Sequence, residues 1–598
     1  MGHWLAPPGV AKQLGFIKRF DARFWSVNFP RPMMASVVTT GPNALRVDAV
    51  FYKGNDLAGL IWEAEDAFDH ALTAYETNRD FRQCRLSFRW RSAGLRGLDA
   101  VDGPTLTIEG RDQAGAARSW YVRLWNYADG TPEDAMVSLD FAALEGGFLF
   151  PHEGEPVWAG DVDRMFISLV PPGYNKIDEP LSAPAEGWVE ISDIACEGAG
   201  SVLSIGETMV PEHRLRMASG YDDSYHLTPA RLLRNILHLG YRQVINHYVG
   251  MSHYFRLEAL GNDFYVSLPG SALNVACSAW HRDFVSRAKA LGFDVILSLS
   301  YELFDEHCWN DWKQRAEDGS PALTGWVPPS ALLSPAHAGA MGYLQAVGRA
   351  FAAIARDAGA AVKFQVGEPW WWVMSDGRIC LYDAAAVAAF APVSIPDVRA
   401  ELDAAQTATL DAAGQVLANS TAALCDAVRQ EVPGAECLLL VYLPTVLEGA
   451  EVRRANVPVG WASPAFDVLQ LEDYDWVTVG NGGATARGVT ETTARLGYPV
   501  AEQHYFAGFV LNPEDKHQWK AIADAVATGL ARGTAEVFVW AVPQVLRDGF
   551  TWFGEGEEAV EAFEDVRFPV ALGRQASVEP VFSSAVVTTA GGGEQANS

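Results

Sequence analysis

Residues 362–370 have the sequence Val-Lys-Phe-Gln-Val-Gly-Glu-Pro-Trp, in which a short apolar run ends at Glu368. A second short run, Tyr498-Pro-Val-Ala-Glu-Gln-His-Tyr505, closes on Glu502. In an α/β barrel the catalytic groups stand at the carboxyl ends of the buried strands, where the loops converge on one mouth. Two glutamates in such positions predict glycosidic chemistry.

The segments around these two runs repeat one pattern. From about residue 201, apolar strand-like runs alternate eight times with helix-like segments. Continuous apolar strands between helices indicate a parallel sheet covered by helices, and eight repeats predict a (β/α)8 TIM barrel over residues 201–566. Glu368 then ends strand four and Glu502 ends strand seven. The predicted strands are 202–206, 242–248, 294–300, 363–368, 436–442, 467–472, 499–503 and 536–542.

Residues 1–200 have a different period. Runs such as Cys84-Arg-Leu-Ser-Phe-Arg-Trp90 and Arg164-Met-Phe-Ile-Ser-Leu-Val170 alternate apolar and polar side chains. This alternation, with turn residues between the runs, indicates antiparallel strands with one buried face. We therefore predict an N-terminal antiparallel β-sandwich of the jelly-roll type. The run Trp188-Val-Glu-Ile-Ser-Asp-Ile194 resembles the closing strand of galactose-binding jelly-roll domains.

Composition excludes several classes of function. The 598 residues are too many for one core, and 49% hydrophobic with 20% charged residues is a globular composition. No stretch approaches the roughly 20 apolar residues of a membrane span. The net charge is −29 and Lys and Arg do not cluster, which argues against binding to nucleic acid.

Cysteine usage and the N-terminus bear on compartment and cofactors. The seven cysteines are odd in number and form no CxxC pair, which argues against a zinc cage and a disulfide framework. We predict buried thiols, no metal and no cofactor. The N-terminus lacks the charged lead and apolar core of a secretory signal, so we expect assembly in the cytoplasm.

Aromatic and polar residues follow the predicted strand ends. Flat indole rings stack on the faces of sugar rings, and polar side chains near an acid hold it or tune its pKa. The long segment between strands three and four is expected to shape the mouth. The candidate substrate-binding residues are Trp370, Trp371, His247, Tyr301, Asp473, Tyr474, His504, Tyr505 and Trp540.

With its acids at the ends of strands four and seven, the barrel resembles the retaining glycoside hydrolases. The resemblance implies that Glu368 is the acid/base and Glu502 the nucleophile, with carboxyl groups roughly 5–5.5 Å apart. In those enzymes an asparagine precedes the strand-four acid and binds the sugar 2-hydroxyl, whereas Gly367 stands here. This departure puts catalysis in doubt.

Each candidate also has a structural interpretation. A glutamate at a strand end can be solvated or ion-paired, and the tryptophan triplet 370–372 can pack under loops. His247 and His253 lack the spacing of metal ligands, which favours structural roles for both.

The C-terminal residues 567–598 depart from the barrel period. Phe568-Pro-Val-Ala-Leu-Gly573 and the later stretch Ser583-Ser-Ala-Val-Val-Thr-Thr-Ala-Gly-Gly-Gly-Glu-Gln-Ala-Asn597 resemble the start of a distal-tail module of phages and gene transfer agents. A sandwich, a glycosidase-like barrel and such a fragment together resemble the non-contractile tail sheath proteins of tailed phages. The stretch from Gly240 to Tyr254 resembles the start of the core of that family's barrel.

That resemblance implies a structural protein of the virion tail. Its partners would be other tail proteins and copies of itself, and its barrel would bind or cut host-surface polysaccharide. One alternative is an active retaining glycoside hydrolase that uses Glu368 and Glu502. A second is a carbohydrate-binding protein without catalysis, with the N-terminal sandwich as the binding module.

Overall fold

A computed structural model describes residues 2–4, 14–149, 152–325 and 327–553 of the chain. The distal-tail resemblance at residues 567–598 lies outside the described residues. Two units follow one another: an N-terminal region of antiparallel sheets and a closed barrel of eight parallel strands. None of the helices that the structure describes is long and apolar enough to cross a membrane.

The N-terminal region is a sandwich of two antiparallel sheets. In the strand Arg85–Ala93, Leu86, Phe88 and Trp90 are buried and the three arginines of the strand face solvent, as the alternation predicts. The six-stranded sheet contains, in spatial order, Ala128–Thr131, Asp134–Asp140, Arg85–Ala93, Pro180–Glu197, Ala44–Lys53 and Met34–Gly41. The five-stranded sheet contains Ser26–Asn28, Ala58–Glu63, Val162–Leu169, Thr105–Arg111 and Ala117–Arg123.

The barrel strands, labelled β1 to β8 in chain order, are all parallel and close on themselves through the β1–β8 pair. Most are almost wholly buried, because helices cover their outer face and side chains fill the interior. The strands are β1 Leu215–Gly220, β2 Val244–Tyr248, β3 Asp294–Ser300, β4 Lys363–Gly367, β5 Glu436–Tyr442, β6 Val468–Asp473, β7 Gln503–Gly508 and β8 Glu536–Val542.

Two of the eight predicted strands are wrong. The predicted first strand, Val202–Gly206, pairs with Leu14–Lys18 outside the barrel, and the true β1 begins at Leu215. The predicted seventh strand is displaced along the chain, since Val500–Glu502 is a 3-10 turn and β7 begins only at Gln503. Pro499 explains part of this displacement, because proline has no N–H for a strand ladder.

Helices surround the barrel and provide most of its outer packing. The long ones, labelled α1 to α6, begin at capping side chains in most cases, for example Asn274 before α2 and Asp403 before α4. A smaller apolar cluster, which includes Ala218, Ile296 and Phe538, fills the barrel interior. The helices are α1 Pro229–His238, α2 Val275–Ala290, α3 Ala338–Asp357, α4 Ala404–Glu431, α5 Gly482–Leu496 and α6 Gln518–Arg532.

The sandwich and the barrel share a buried interface. Met34 and Tyr52 of the sandwich belong to the apolar core of the barrel, and the Ser36 hydroxyl donates to the Ala276 carbonyl at 2.7 Å. The two units are therefore packed as one body along this face.

One buried cation crosses the interface. Arg231 of α1 donates from Nη2 to Asp66 Oδ1 at 2.5 Å and from Nε to Asp69 Oδ2 at 3.1 Å. All three side chains are 1% exposed. The guanidinium also lies 5.2 Å from the ring centre of Phe24 and 5.1 Å from that of Phe68. Arg231 thus links the barrel to the loop that follows a sandwich strand.

Candidate functional site

A cavity of about 1010 Å³ opens at the carboxyl ends of the barrel strands. Residues from all eight strands or from the segments that follow them line its walls, and Thr324 and Gly325 reach it from the long segment between β3 and β4. The prediction that this segment contributes to the mouth is confirmed. We refer to this space as the mouth cavity.

Glu368 is one of the residues that line the mouth cavity. It is the first residue after β4, and its Oε2 accepts hydrogen bonds from the Ser300 hydroxyl at 2.8 Å and the Tyr248 hydroxyl at 3.3 Å. Ser300 and Tyr248 are the last residues of β3 and β2, so three neighbouring strand ends converge on one carboxylate. The φ angle of Glu368 is 50°, a left-handed value that is uncommon outside glycine and recurs at functional sites.

Two further glutamates line the same cavity. Glu302 follows β3, its backbone N–H donates to the Ser300 hydroxyl at 3.0 Å, and its side chain is 4% exposed. Glu472 is the next-to-last residue of β6 and is 7% exposed. Burial, followed by the negative charge of Glu368, raises the pKa of each carboxyl well above its usual range.

The three carboxyl groups differ in how their charge is stabilised. Burial also raises the pKa of Glu368, but the hydroxyls of Ser300 and Tyr248 oppose that rise because they donate to its charged form. Glu302 Oε2 is buried and has no hydrogen-bond partner among the described residues. The hydroxyls of Ser300 and Tyr248 therefore stabilise the charged form of Glu368, and Glu302 Oε2 has no such donor.

Aromatic rings form much of the cavity wall. The ring centres of Trp370 and Tyr442 are 6.0 Å apart, and Tyr474 lies 6.2 Å from Trp540. The indole N–H of Trp370 is buried without an acceptor in the described part of the chain. Trp371 also borders the cavity, but it is fully buried and its indole N–H donates to the Ala413 carbonyl at 3.0 Å. Trp371 thus supports the wall that the other rings form.

Glu502 does not belong to this site. It is exposed and precedes β7, so it lies at the amino end of the barrel, whereas Glu368 follows the carboxyl end of β4. The six residues of β7 span the barrel from its amino end to its carboxyl end, which corresponds to a distance on the order of 15–20 Å. A retaining pair needs roughly 5–5.5 Å, so the predicted pairing of Glu368 with Glu502 is wrong.

Two other predicted residues face the helical layer instead of the mouth. His247 is fully buried behind β2, where its Nδ1 lies 2.7 Å from the Ser219 hydroxyl and its Nε2 lies 3.2 Å from His281 Nε2. The hydroxyl of Tyr301 lies 3.0 Å from that of Ser420 on α4. Neither side chain is placed to touch a ligand in the mouth cavity.

Three predicted residues near β6 and β7 are also directed elsewhere. Asp473 is buried and accepts a hydrogen bond from the Thr485 hydroxyl of α5. His504 points into the barrel, where its Nδ1 lies 3.1 Å from Gln470 Nε2. Tyr505 is buried against α6. The structure therefore brings together Glu368, Trp370, Trp371, Tyr474 and Trp540 of the predicted set.

Several residues of the cavity were missed by sequence reasoning. Glu472 ends the predicted sixth strand, and its position at a strand end is the signal that identifies it. Asp222 and Asp223 follow β1, so the misplaced first strand concealed them. A Cβ at Gly367 would lie 3.0 Å from Ser298 Oγ, so the expected asparagine would require the Ser298 side chain to shift.

Family comparisons cover both units. Residues 17–206 match the model of the non-contractile tail sheath N-terminal domain, and residues 211–550 match that of the non-contractile tail sheath protein TIM barrel. The chain belongs to this family. Its role is therefore that of a structural component of a phage tail, which assembles with other tail proteins and with copies of itself.

Solved structures similar to the chain include carbohydrate-active enzymes. The PgaB (BpsB) glycoside hydrolase domain from Bordetella bronchiseptica is 13% identical, with a TM-score of 0.35 over 57% of this chain and 99% of that one. Xylanase10C from Cellvibrio japonicus is 9% identical, with a TM-score of 0.31 over 90% and 95%. Likeness this low does not support an inference about activity.

Proposed function

We propose that the mouth cavity of this tail protein is a saccharide-binding site. The observation that carries the proposal is the set of three glutamates held beneath aromatic rings at the carboxyl ends of the barrel strands. Ligand sites of this kind combine apolar walls with a few fixed polar groups, and the mouth is where a barrel presents them.

The chemistry of the wall fits a sugar ring. Trp370, Tyr474 and Trp540 offer flat apolar faces for the C–H face of a pyranose, while Asn246 and Gln365 at the floor provide amide groups for hydroxyls. The unpaired indole N–H of Trp370 would donate to a sugar oxygen. In a virion tail, such a site would attach the particle to polysaccharide of the host surface.

A second candidate function is hydrolysis of the bound chain. Glycoside hydrolysis requires one carboxyl group that protonates the leaving oxygen and one carboxylate that acts as base or nucleophile. Glu368, whose charged form accepts two hydroxyl hydrogen bonds, lies in one cavity with Glu302 and Glu472, and burial raises the pKa of both of these carboxyls well above the usual range. In this assignment Glu368 is the carboxylate and one of its two neighbours is the acid.

Replacement of Trp370 with alanine is expected to weaken saccharide binding about tenfold, because a tryptophan that packs on a ligand contributes more than 1 kcal/mol in typical interfaces. The measurement is calorimetric titration of the full chain with neutral, amino and acidic tetrasaccharides, followed by the same titrations of Trp370→Ala.

Tyr121→Ala is the matched control, because Tyr121 is an aromatic residue of the sandwich that is 49% exposed and lies far from the mouth in the fold. Its affinity should equal that of the wild type. Circular dichroism must show that both variants remain folded. If the wild-type chain binds none of the tetrasaccharides saturably, the mouth is not a saccharide site.

A further inference from the structure

The charged residues that line the mouth cavity are all acidic. No lysine, arginine or histidine is present among the described residues that line it. Two of its acids have basic partners: Arg399 Nε donates to Glu448 Oε1 at 3.0 Å, and His253 Nδ1 lies 2.9 Å from Asp222 Oδ1. The acidic lining residues are Asp222, Asp223, Glu302, Glu368, Glu448, Glu472 and Asp475.

Five acids therefore lack a basic partner within the described residues. Asp223 and Asp475 are exposed at the rim, while Glu302 and Glu472 are buried below them on either side of Glu368. Glu302 Oε2 provides an independent indication of a ligand, because it is buried, unpaired and part of the cavity lining. A buried polar atom without a partner is costly, and a ligand that donates a hydrogen bond would remove that cost.

We propose that the mouth cavity selects saccharides that carry free amino groups, such as chains of glucosamine, over their N-acetylated and acidic counterparts. This inference rests on the saccharide site proposed above and names its ligand class. An ammonium group donates to carboxylates and is attracted to the faces of aromatic rings, and the cavity combines both.

The same lining disfavours the other two classes of sugar. An acidic sugar would bring a carboxylate among acids with no cation to pair with it, at a cost in repulsion and desolvation. An N-acetylated sugar would place a neutral amide where the unpaired acids favour a cation. Neutral chains would still stack on the rings, so the expected difference is one of affinity.

The test is calorimetric titration of the full chain with tetrasaccharides of glucosamine, N-acetylglucosamine and galacturonic acid at about pH 6, where an amine is protonated. We expect the glucosamine chain to bind about tenfold more tightly than its N-acetylated counterpart. We expect no measurable binding of the acidic chain. Added salt should reduce the preference, because it screens charge at the open rim.

A pair of variants tests whether the preference arises in the cavity. Asp475→Asn should reduce the preference about threefold, since it removes one of the rim charges. Asp524→Asn makes the same change on the exposed face of α6, outside the cavity, and should leave the preference unchanged. Spermidine serves as a cation without a sugar, because the chain carries a net charge of −29 that attracts polycations in general.

The outcomes separate the two proposals. If the N-acetylated chain binds as tightly as the glucosamine chain, the amino selectivity is overturned while the saccharide site stands. If no tetrasaccharide binds, both proposals fail. If spermidine binds as well as the glucosamine chain, or if Trp370→Ala leaves glucosamine binding unchanged, the attraction belongs to the general surface charge and the selectivity is again overturned.

Discussion

Arg231→Met is expected to lower the free energy of unfolding by about 3–5 kcal/mol, because it leaves two buried carboxylates without their cation. Asp66 and Asp69 are each 1% exposed, so water cannot replace the lost guanidinium. The ion pairs of Arg231 with Asp66 and Asp69 join the barrel to the sandwich, and the variant should therefore weaken the interface between the two units. Urea unfolding followed by tryptophan fluorescence measures the loss in the first transition.

The decrease in the free energy of unfolding caused by Arg231→Met should depend on pH in a defined direction. Burial, opposed by Arg231, raises the pKa of Asp69 to about 6, and removal of Arg231 raises it further. A folded-state pKa above the unfolded value means that the folded protein binds more protons, so stability falls as pH rises through that range. The deficit of Arg231→Met relative to wild type should thus grow above about pH 6 and be smaller at pH 5.

Two controls make this result specific. The triple variant Arg231→Met, Asp66→Asn, Asp69→Asn removes the cation and both acids together, and it should recover much of the lost stability. Arg356→Met breaks an ion pair with Glu431 in which Arg356 is 46% exposed, and it should change the free energy of unfolding far less than Arg231→Met does. A loss below about 1 kcal/mol for Arg231→Met itself would show that the buried cation does not hold the interface.

The architecture could be predicted where local pattern and burial agree. The strands Asp294–Ser300, Glu436–Tyr442 and Glu536–Val542 lie at their predicted bounds, because each is a continuous apolar run between helices. The alternating runs of the sandwich were equally clear. Both patterns depend on residues that are adjacent in sequence, which is why the two-unit architecture followed from them.

The misplaced strands show where local pattern fails. β1 contains Arg216, which is buried and pairs with Glu536 at 2.6 Å, so its sequence is less apolar than that of Val202–Gly206. β7 begins with Gln503, whose buried amide donates to the Tyr498 carbonyl at 2.8 Å. In both strands the buried polar side chain has a hydrogen-bond partner outside its own strand, and a single sequence does not reveal that partner.

The misplaced seventh strand also caused the wrong assignment of Glu502 to the candidate site. Glu502 precedes its strand, so a displacement of a few residues transferred it from the mouth to the opposite end of the barrel. Glu368 was placed correctly because β4 ends one residue before it. Side-chain direction explains the remaining misses, since His247 and Tyr505 lie on the correct strands but face the helices.

If the barrel hydrolyses the saccharide that it binds, Glu368→Gln should reduce the rate by about 10²–10⁴-fold, the usual contribution of a positioned acid or base. Glutamine preserves the shape and accepts hydrogen bonds from Ser300 and Tyr248, but it carries no charge and takes no proton. Affinity for a neutral chain should change much less than the rate. The release of new reducing ends, measured on the tetrasaccharide that binds best, gives the rate.

A shift in the pH profile separates a catalytic role of Glu368 from a structural one. The charge of Glu368 raises the pKa of Glu302 and Glu472, so its removal lowers the pKa of both acids. Residual activity that depends on a protonated neighbour should then be lost at a lower pH than in the wild type. Glu502→Gln, at the amino end of the barrel, is the matched control and should keep both the rate and the profile. Binding without turnover in the wild-type chain would leave the mouth as an attachment site and remove hydrolysis from its functions.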